Sequence, residues 1–362
     1  MARATLFLAN ISLLIEMPYS STVRPQYGNQ KLPMAIQSNI SGLTLFRSKF
    51  LSGKNNIQIS PSRDSKGYSV GRQQLQNGTM LFNITVPHWE TYKLPLNDRD
   101  KYRIYRNGCW HESMHCKYTP DEVYTFGAKP SASPGDIGTL NEPLAHDMIN
   151  IIEDRRIEDL GVKEWKGSKR ERLFSNAYAY TRRMNVDEFF KLYLKQHYDF
   201  DKGEYVFPPN DYAREKIIRT RIAHMRHEAF LQRLLVKRIK GHENLPHAEL
   251  RVIDKEARMV EKQFEKLEPI RDNLKERHKI FTVLVALSMK VIRDLGLQFY
   301  TPQLTKVGES SWDRSFDSTT VNPGDEEKTR AGIDDYFDEM MTIEVVCADC
   351  GAHYSKKLGV RE

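Results

Sequence analysis

Apolar positions over the first hundred residues come in short runs rather than at helical spacing. Leu43–Phe46, Ile57–Ser60, Tyr68–Val70 and Met80–Val86 are β-prone, and Gly, Pro, Asn and Ser separate them. Residues 53–58 (GKNNIQ) and 73–78 read as turns, and Pro87 and Pro95 mark the exit from strand-like sequence. After Asp100 the period changes. Apolar residues recur every three to four positions over 103–118, 142–160, 169–183, 186–197, 211–240, 246–277 and 278–295, with charged faces opposite. The pattern predicts a mainly helical α+β fold. A β-rich N-terminal region spans 1–100 and a helical core 101–200. A charged helical region covers 201–300, and a linker with a small Cys-containing tail covers 301–362. Residues 249–277 together with Phe281–Leu287 suggest a helical hairpin. Residues 127–143 (GAKPSASPGDIGTLNEP) predict a long loop between helices, and 308–325 a Ser/Thr/Asp-rich linker before the acidic stretch Asp325–Glu339.

Composition narrows the class. With 362 residues, 40% hydrophobic and 28% charged, the chain can bury an ordinary core and is neither disordered nor collagen-like. Four cysteines cannot make a disulfide scaffold, which points to a reducing compartment, and the expected location is the cytoplasm. No stretch approaches the ~20 apolar residues of a membrane span. The run Thr5–Leu14, closed by Glu16, reads as a buried strand or short helix rather than a signal peptide. A net charge of +7 permits an anionic partner without requiring one. The row Arg214, Lys216, Arg219, Arg221, Arg226, Arg233, Lys237, Arg238 and Lys240 can track phosphates, but intervening Glu residues and sparse aromatics favour a solvated face. Nucleic acid is therefore not the favoured partner.

The segment that carries chemistry is His111-Glu112-Ser113-Met114-His115. Residues four apart share a helix face, so both imidazoles can serve one metal ion. Glu112, beside them, can act as general base toward water, and zinc is the metal this donor set favours. With eleven histidines in the chain, a chance match has an expectation of about 0.02, so the motif carries weight. A catalytic zinc takes a third protein ligand. The predicted helix Asn150–Glu158 (NIIEDRRIE) offers it, because tandem carboxylates are costly to bury without a compensating charge. His146, Asn150 and Glu153 fall on one face at ~100° per residue, which selects Glu153, with His146 as substitute. Asp154 or Glu158 can then orient a ligand imidazole, and Arg155 or Arg156 can neutralise the cluster or stabilise an oxyanion. Cys347, Cys350 and His353 offer a possible structural metal site, lacking a fourth ligand. Cys109 and Cys116 read as buried thiols, and His224, His227 and Glu228 as core or surface residues.

The order of HExxH, long loop and NIIEDRRIE helix resembles gluzincin-type metallopeptidase domains. More narrowly, it looks like the region upstream of the von Willebrand A domain in cobaltochelatase-accessory and nitric-oxide-reductase-activation type proteins. The resemblance covers about residues 85–160 and implies His111, His115 and Glu153 as zinc ligands and Glu112 as base. It also implies a peptide or protein substrate and an AAA+ ATPase partner of the MoxR type. The von Willebrand A part is expected to be absent, since Asp313-Arg314-Ser315-Phe316-Asp317 departs from its Asp-x-Ser-x-Ser motif and follows no strand. The leading expectation is a zinc metallopeptidase. The competing readings are a helical adaptor with a structural or vestigial zinc site and a nucleic-acid-binding protein.

Overall fold

A computed structural model describes residues 40–65, 67–125, 142–237, 239, 244–273, 275–300, 302, 323–340, 342–346 and 353–357. The run Thr5–Leu14, nearly all of the 127–143 loop, the linker to residue 322, and Cys347 and Cys350 lie outside them. The fold is mainly helical α+β, with a small mixed sheet near the N-terminal end of the described chain.

Helix α1 (Ile40–Ser52) precedes three strands, β1 (Ile57–Ser62), β2 (Ser69–Gln74) and β3 (Met80–Pro87). α1 corrects the strand expected at Leu43–Phe46. Its buried face is Ile40, Thr44, Ser48 and Leu51, so small polar residues hide the helical period from an apolar count. The Thr44 hydroxyl donates to the Ile40 carbonyl, and Gly53 at φ +66° lets the chain turn away. The sheet order is β1-β3-β2. β1 runs parallel to β3 with Ile57 opposite Phe82, and β2 runs antiparallel with Arg72 opposite Phe82. Phe82, Ile84 and Val86 alternate into the core.

The long helix α2 (Asp98–Tyr118) packs on α1 and the sheet. The Asn97 side chain accepts from the Asp100 backbone N–H, and Asp98 and Asp100 sit in the first turn, where negative charge suits the helix dipole. The helix stops at Thr119, which is extended because Pro120 follows. After α3 (Asp121–Thr125) come α4 (Glu142–Glu164) and α5 (Ser168–Arg182). α2 lies against both α4 and α5. Where α2 meets α4, a Cβ added to Gly161 would sit 2.6 Å from the Trp110 ring and 2.7 Å from the Met114 sulfur. Only a residue without a side chain allows the two helices to approach this closely.

The remaining elements buttress α4 and α5. The predicted helix 186–197 is α6 (Val186–Phe189) followed by a wide turn at Phe190–Leu194 and a tight one at Lys195–His197. A minimal hairpin joins β4 (Tyr198–Asp199) to β5 (Glu204–Tyr205). α7 (Tyr212–Leu231), α8 (His247–Leu267) and α9 (Arg277–Asp294) complete the bundle, with α9 packed on α4. α8 ends ten residues before the expected 277, in a tight turn containing Pro269, which cannot donate a helical hydrogen bond. Arg226 of α7 makes a two-pronged contact with Glu249 of α8, and Arg233, just past α7, pairs with Asp254 of α8. α10 (Asp325–Met340) turns the acidic stretch into a helix whose Ile333 and Tyr336 are buried, packed on α5. A hairpin of β6 (Thr342–Val346) and β7 (His353–Lys357) follows. One cluster of buried apolar residues runs from Ile40 to Tyr336. No helix among the described residues is long and apolar enough to cross a membrane.

Two expected outcomes test this packing. Gly161→Ala should cost about 1–3 kcal/mol in chemical unfolding and weaken divalent-metal binding, because α2 and α4 must part; an unchanged midpoint would contradict the close approach. The second concerns His227, wholly buried on α7 and 2.7 Å from Asp147 of α4. Burial opposes its imidazolium, but the hydrogen bond to Asp147 and the negative charges of Asp147 and Glu228 outweigh that, raising its pKa. A raised folded-state pKa stabilises fully below the unfolded value of about 6.5 and loses that contribution as pH rises through the folded value. The stability gap between wild type and His227→Gln should therefore be wider at pH 6 than at pH 9. A gap that widens with pH would contradict the pairing.

Candidate metal centre

The HExxH segment lies in the last third of α2, and all five of its residues turn inward to some degree. His111 and Glu112 are buried, and His115 keeps a small exposed edge. Helical spacing sets the two imidazoles side by side, with ring centroids 4.8 Å apart at 76°. Their Nε2 atoms are 3.1 Å apart. From α4, the Asp154 carboxylate reaches both rings: Oδ1 lies 3.1 Å from His115 Nε2 and 3.6 Å from His111 Nε2. Bonds of ~2.0–2.1 Å to a tetrahedral ion require ligand atoms about 3.3 Å apart, which this triangle meets within a few tenths of an ångström.

The far side of each ring fixes its tautomer. His111 Nδ1 is 3.1 Å from Glu158 Oε1, and a carboxylate only accepts, so Nδ1 carries the hydrogen. His115 Nδ1 is 2.9 Å from the Thr119 hydroxyl, which itself donates to Glu153 Oε1 at 2.7 Å. That hydroxyl has its one hydrogen committed, so His115 Nδ1 donates to it. Both Nε2 lone pairs are thus left facing each other and a carboxylate. Two such lone pairs repel unless a cation or a shared proton lies between them. The buried His111–His115–Asp154 group can hold a metal ion.

The electrostatics agree with this arrangement. Burial raises the Asp154 carboxyl, but contact with the His111 and His115 rings reverses this and brings it down to about 2. Burial works against a charged His111, yet Asp154 and Glu158 hold its pKa well above the usual imidazole value. Burial pulls His115 below that value, and only partly does Asp154 offset it. Without a metal, the pair therefore keeps its proton on His111; loading a cation must displace it.

The structure redistributes the roles read from the sequence. The carboxylate beside the imidazoles is Asp154 and not Glu153. Glu153 is wholly buried and gripped by Arg156, whose Nε and Nη2 donate at 2.7 and 2.8 Å. Tandem carboxylates on a helix diverge by ~100°, and the stripe Asp147, Asp154, Glu158 is the one that α4 turns toward His227 and the α2 histidines. Arg156 thereby neutralises part of the acidic cluster. Arg155 pairs with Asp159 and Glu261 at 3.0 Å each. His146 hydrogen-bonds Asn150 and takes no place in the ligand triangle. Glu158 does orient His111, and Arg172 of α5 holds its second oxygen at 2.7 Å. Thr119 and Arg172 were not read from the sequence. Thr119 had a local signal, lying four residues after His115, whereas Arg172 had none. Cys109 and Cys116 are free, buried thiols, and burial pushes Cys109 up to about 12. Of the expected C-terminal metal site, Cys347 and Cys350 lie outside the described residues. For His353 only the backbone, opposite Val346, is described.

No family model, curated protein or solved structure matches the chain. The candidate donor set is two imidazole nitrogens, each ring held from behind, and one carboxylate.

Asp154→Asn should abolish stoichiometric metal binding, while Glu153→Gln should retain it but lose about 3–5 kcal/mol of stability, because Arg156 is left buried and unpaired. Glu158→Gln should weaken metal affinity about 10–100-fold. Calorimetric titration with divalent zinc, alongside urea unfolding, checks all three. Metal loss on Glu153→Gln with retention on Asp154→Asn would make Glu153 the ligand in place of Asp154.

Proposed function

We propose that the protein is a zinc-dependent hydrolase, and specifically a peptidase, whose ion is held by His111, His115 and Asp154. The observation that supports this most is the convergence of two Nε2 lone pairs and the Asp154 carboxylate, with Glu158 and the Thr119–Glu153 relay behind the rings. Two imidazoles and a carboxylate are donors that suit zinc, and three protein ligands leave a tetrahedral position for water. When bound, the ion supplies Lewis acidity to a water molecule and to a carbonyl oxygen.

The chain's own residues do the rest. Glu112 sits next to His111 on α2, close enough for its charge to act on that ring. In this reading it takes a proton from water and passes it to a departing amine. Glu158 and Thr119 keep the rings in the one tautomer that presents Nε2. Arg156, tied to Glu153 and to the Tyr118 carbonyl at 2.8 Å, fixes the end of α2 relative to α4. The peptide as substrate rests on the resemblance of the HExxH and NIIEDRRIE helices to metallopeptidase domains.

Purified protein reconstituted with zinc should bind one ion at this group and cleave an unstructured protein substrate such as denatured casein. Glu112→Gln should keep the ion and lose about 10²-fold or more in turnover. Unaltered turnover in that variant would overturn the general-base role. Failure of His115→Ala to reduce zinc binding would overturn the site.

A further inference from the structure

Just past His115, the end of α2 is surrounded by cations drawn from four separate elements. The last carbonyls of a helix have no partners of their own and carry partial negative charge. Here three successive ones are each met by a guanidinium. Arg277, which opens α9, donates to the Lys117 carbonyl at 3.0 Å. Arg156 of α4 donates to Tyr118 at 2.8 Å, and Arg72 of β2 to Thr119 at 2.9 Å. Lys54, in the turn between α1 and β1, joins them: its ammonium and the Arg72 guanidinium lie 5.0 and 4.9 Å from the centre of the same Phe82 ring.

Helix capping accounts for three of these cations but not for the charge balance. Arg156 is neutralised by Glu153, and Arg72 pairs with the exposed Asp121. Among the described residues, neither Lys54 nor Arg277 has a carboxylate within ion-pair distance, although both are only partly exposed. Burial lowers the Lys54 pKa, and the charges of Arg277 and Arg72 lower it further. Arg277 is lowered by burial and by Arg156 and Arg72, with Asp272 and Glu153 offsetting part of this. These cations therefore lie close enough to repel one another. Arg72 Nε and Arg277 Nε are also buried without a hydrogen-bond partner in the structure. Partly buried like charges with unused donors cost free energy unless an anion joins them. Position gives the cluster its meaning. Thr119, whose carbonyl Arg72 binds, is the residue whose hydroxyl holds His115, and Arg277 binds the carbonyl two residues past His115, so these cations meet the chain that directly follows the metal group.

We propose that Lys54, Arg72 and Arg277 form an anion subsite that receives a carboxylate of the substrate, so that the enzyme selects peptides bearing negative charge beside the bond it cleaves. This rests on the peptidase reading and specifies its substrate class. An acidic side chain and a free C-terminus present the same carboxylate, and either satisfies the fork and the ammonium together. Arg72 and Arg277 serve two purposes, capping α2 and facing the anion. Lys54 caps nothing, which makes it the cleanest residue to change.

The test uses tetrapeptides whose N-terminus carries a succinyl hydroxamate, in matched pairs on zinc-loaded protein: Glu against Gln in the side chain adjacent to the hydroxamate-bearing group, and a free acid against an amide at the C-terminus. Titration calorimetry should show the carboxylate member of at least one pair binding about tenfold tighter or more. The pair that responds identifies the source of the carboxylate. Lys54→Gln should remove most of that preference, and Arg277→Gln should do the same if it folds. Equal affinities within both pairs, or a preference that survives Lys54→Gln, would overturn the subsite. The neutral hydroxamates separate this from the parent reading, since their failure to bind would count against the zinc site alone. In that event the same peptide pairs without the hydroxamate, on metal-free protein, read the subsite through protection of Lys54 from reductive methylation. Protection by the carboxylate members only supports it, and equal or absent protection overturns it.

Discussion

The structure turns on buried charge along one helix. Glu153, Asp154, Arg155, Arg156 and Glu158 of α4 are almost wholly withdrawn from water. Ionised groups in such surroundings are tolerated only when opposite charges and hydrogen bonds surround them. Each has its answer: Arg156 for Glu153, His111 and His115 for Asp154, Asp159 and Glu261 for Arg155, and Arg172 with His111 for Glu158. Much of the neighbouring architecture can be understood as supplying those answers. α2 brings the imidazoles, α5 brings Arg172 and α8 brings Glu261. A network of this kind specifies one arrangement of helices, because any slippage strands a charge.

That requirement explains the tight contact at Gly161. The helices must approach closely for a short carboxylate such as Asp154 to reach two imidazoles on α2. A longer Glu at 154 would tolerate a wider gap; an Asp does not. The same network fixes the chemistry on offer. With Glu158 and the Thr119–Glu153 relay occupying both Nδ1 positions, the rings can present only Nε2. The outer partners therefore settle which atoms would face an ion.

Local spacing carried the helical half of this picture. The i, i+4 histidines, the strand alternation of β3 and the long helices after residue 100 all follow from periods visible in the chain. Where spacing fell short, the cause was tertiary. Glu153 and Asp154 are neighbours 100° apart on α4, and the crossing with α2, set by Gly161, decides which one faces the histidines. The α1 helix escaped notice because it buries Thr44 and Ser48 rather than a continuous apolar stripe. The parallel pairing of β1 with β3 depends on a crossover that no local run signals. The cations at the end of α2 come from positions 54, 72, 156 and 277, so only the folded chain makes them a group.

Zinc held by His111, His115 and Asp154 is the central claim, and locating the ion tests it most directly. Anomalous diffraction at the zinc edge, from crystals of the reconstituted protein, should give a peak within ~2.0–2.2 Å of both Nε2 atoms and the Asp154 carboxylate. A zinc-loaded crystal with no peak there, and the two imidazoles bonded only to each other and to Asp154, would contradict it.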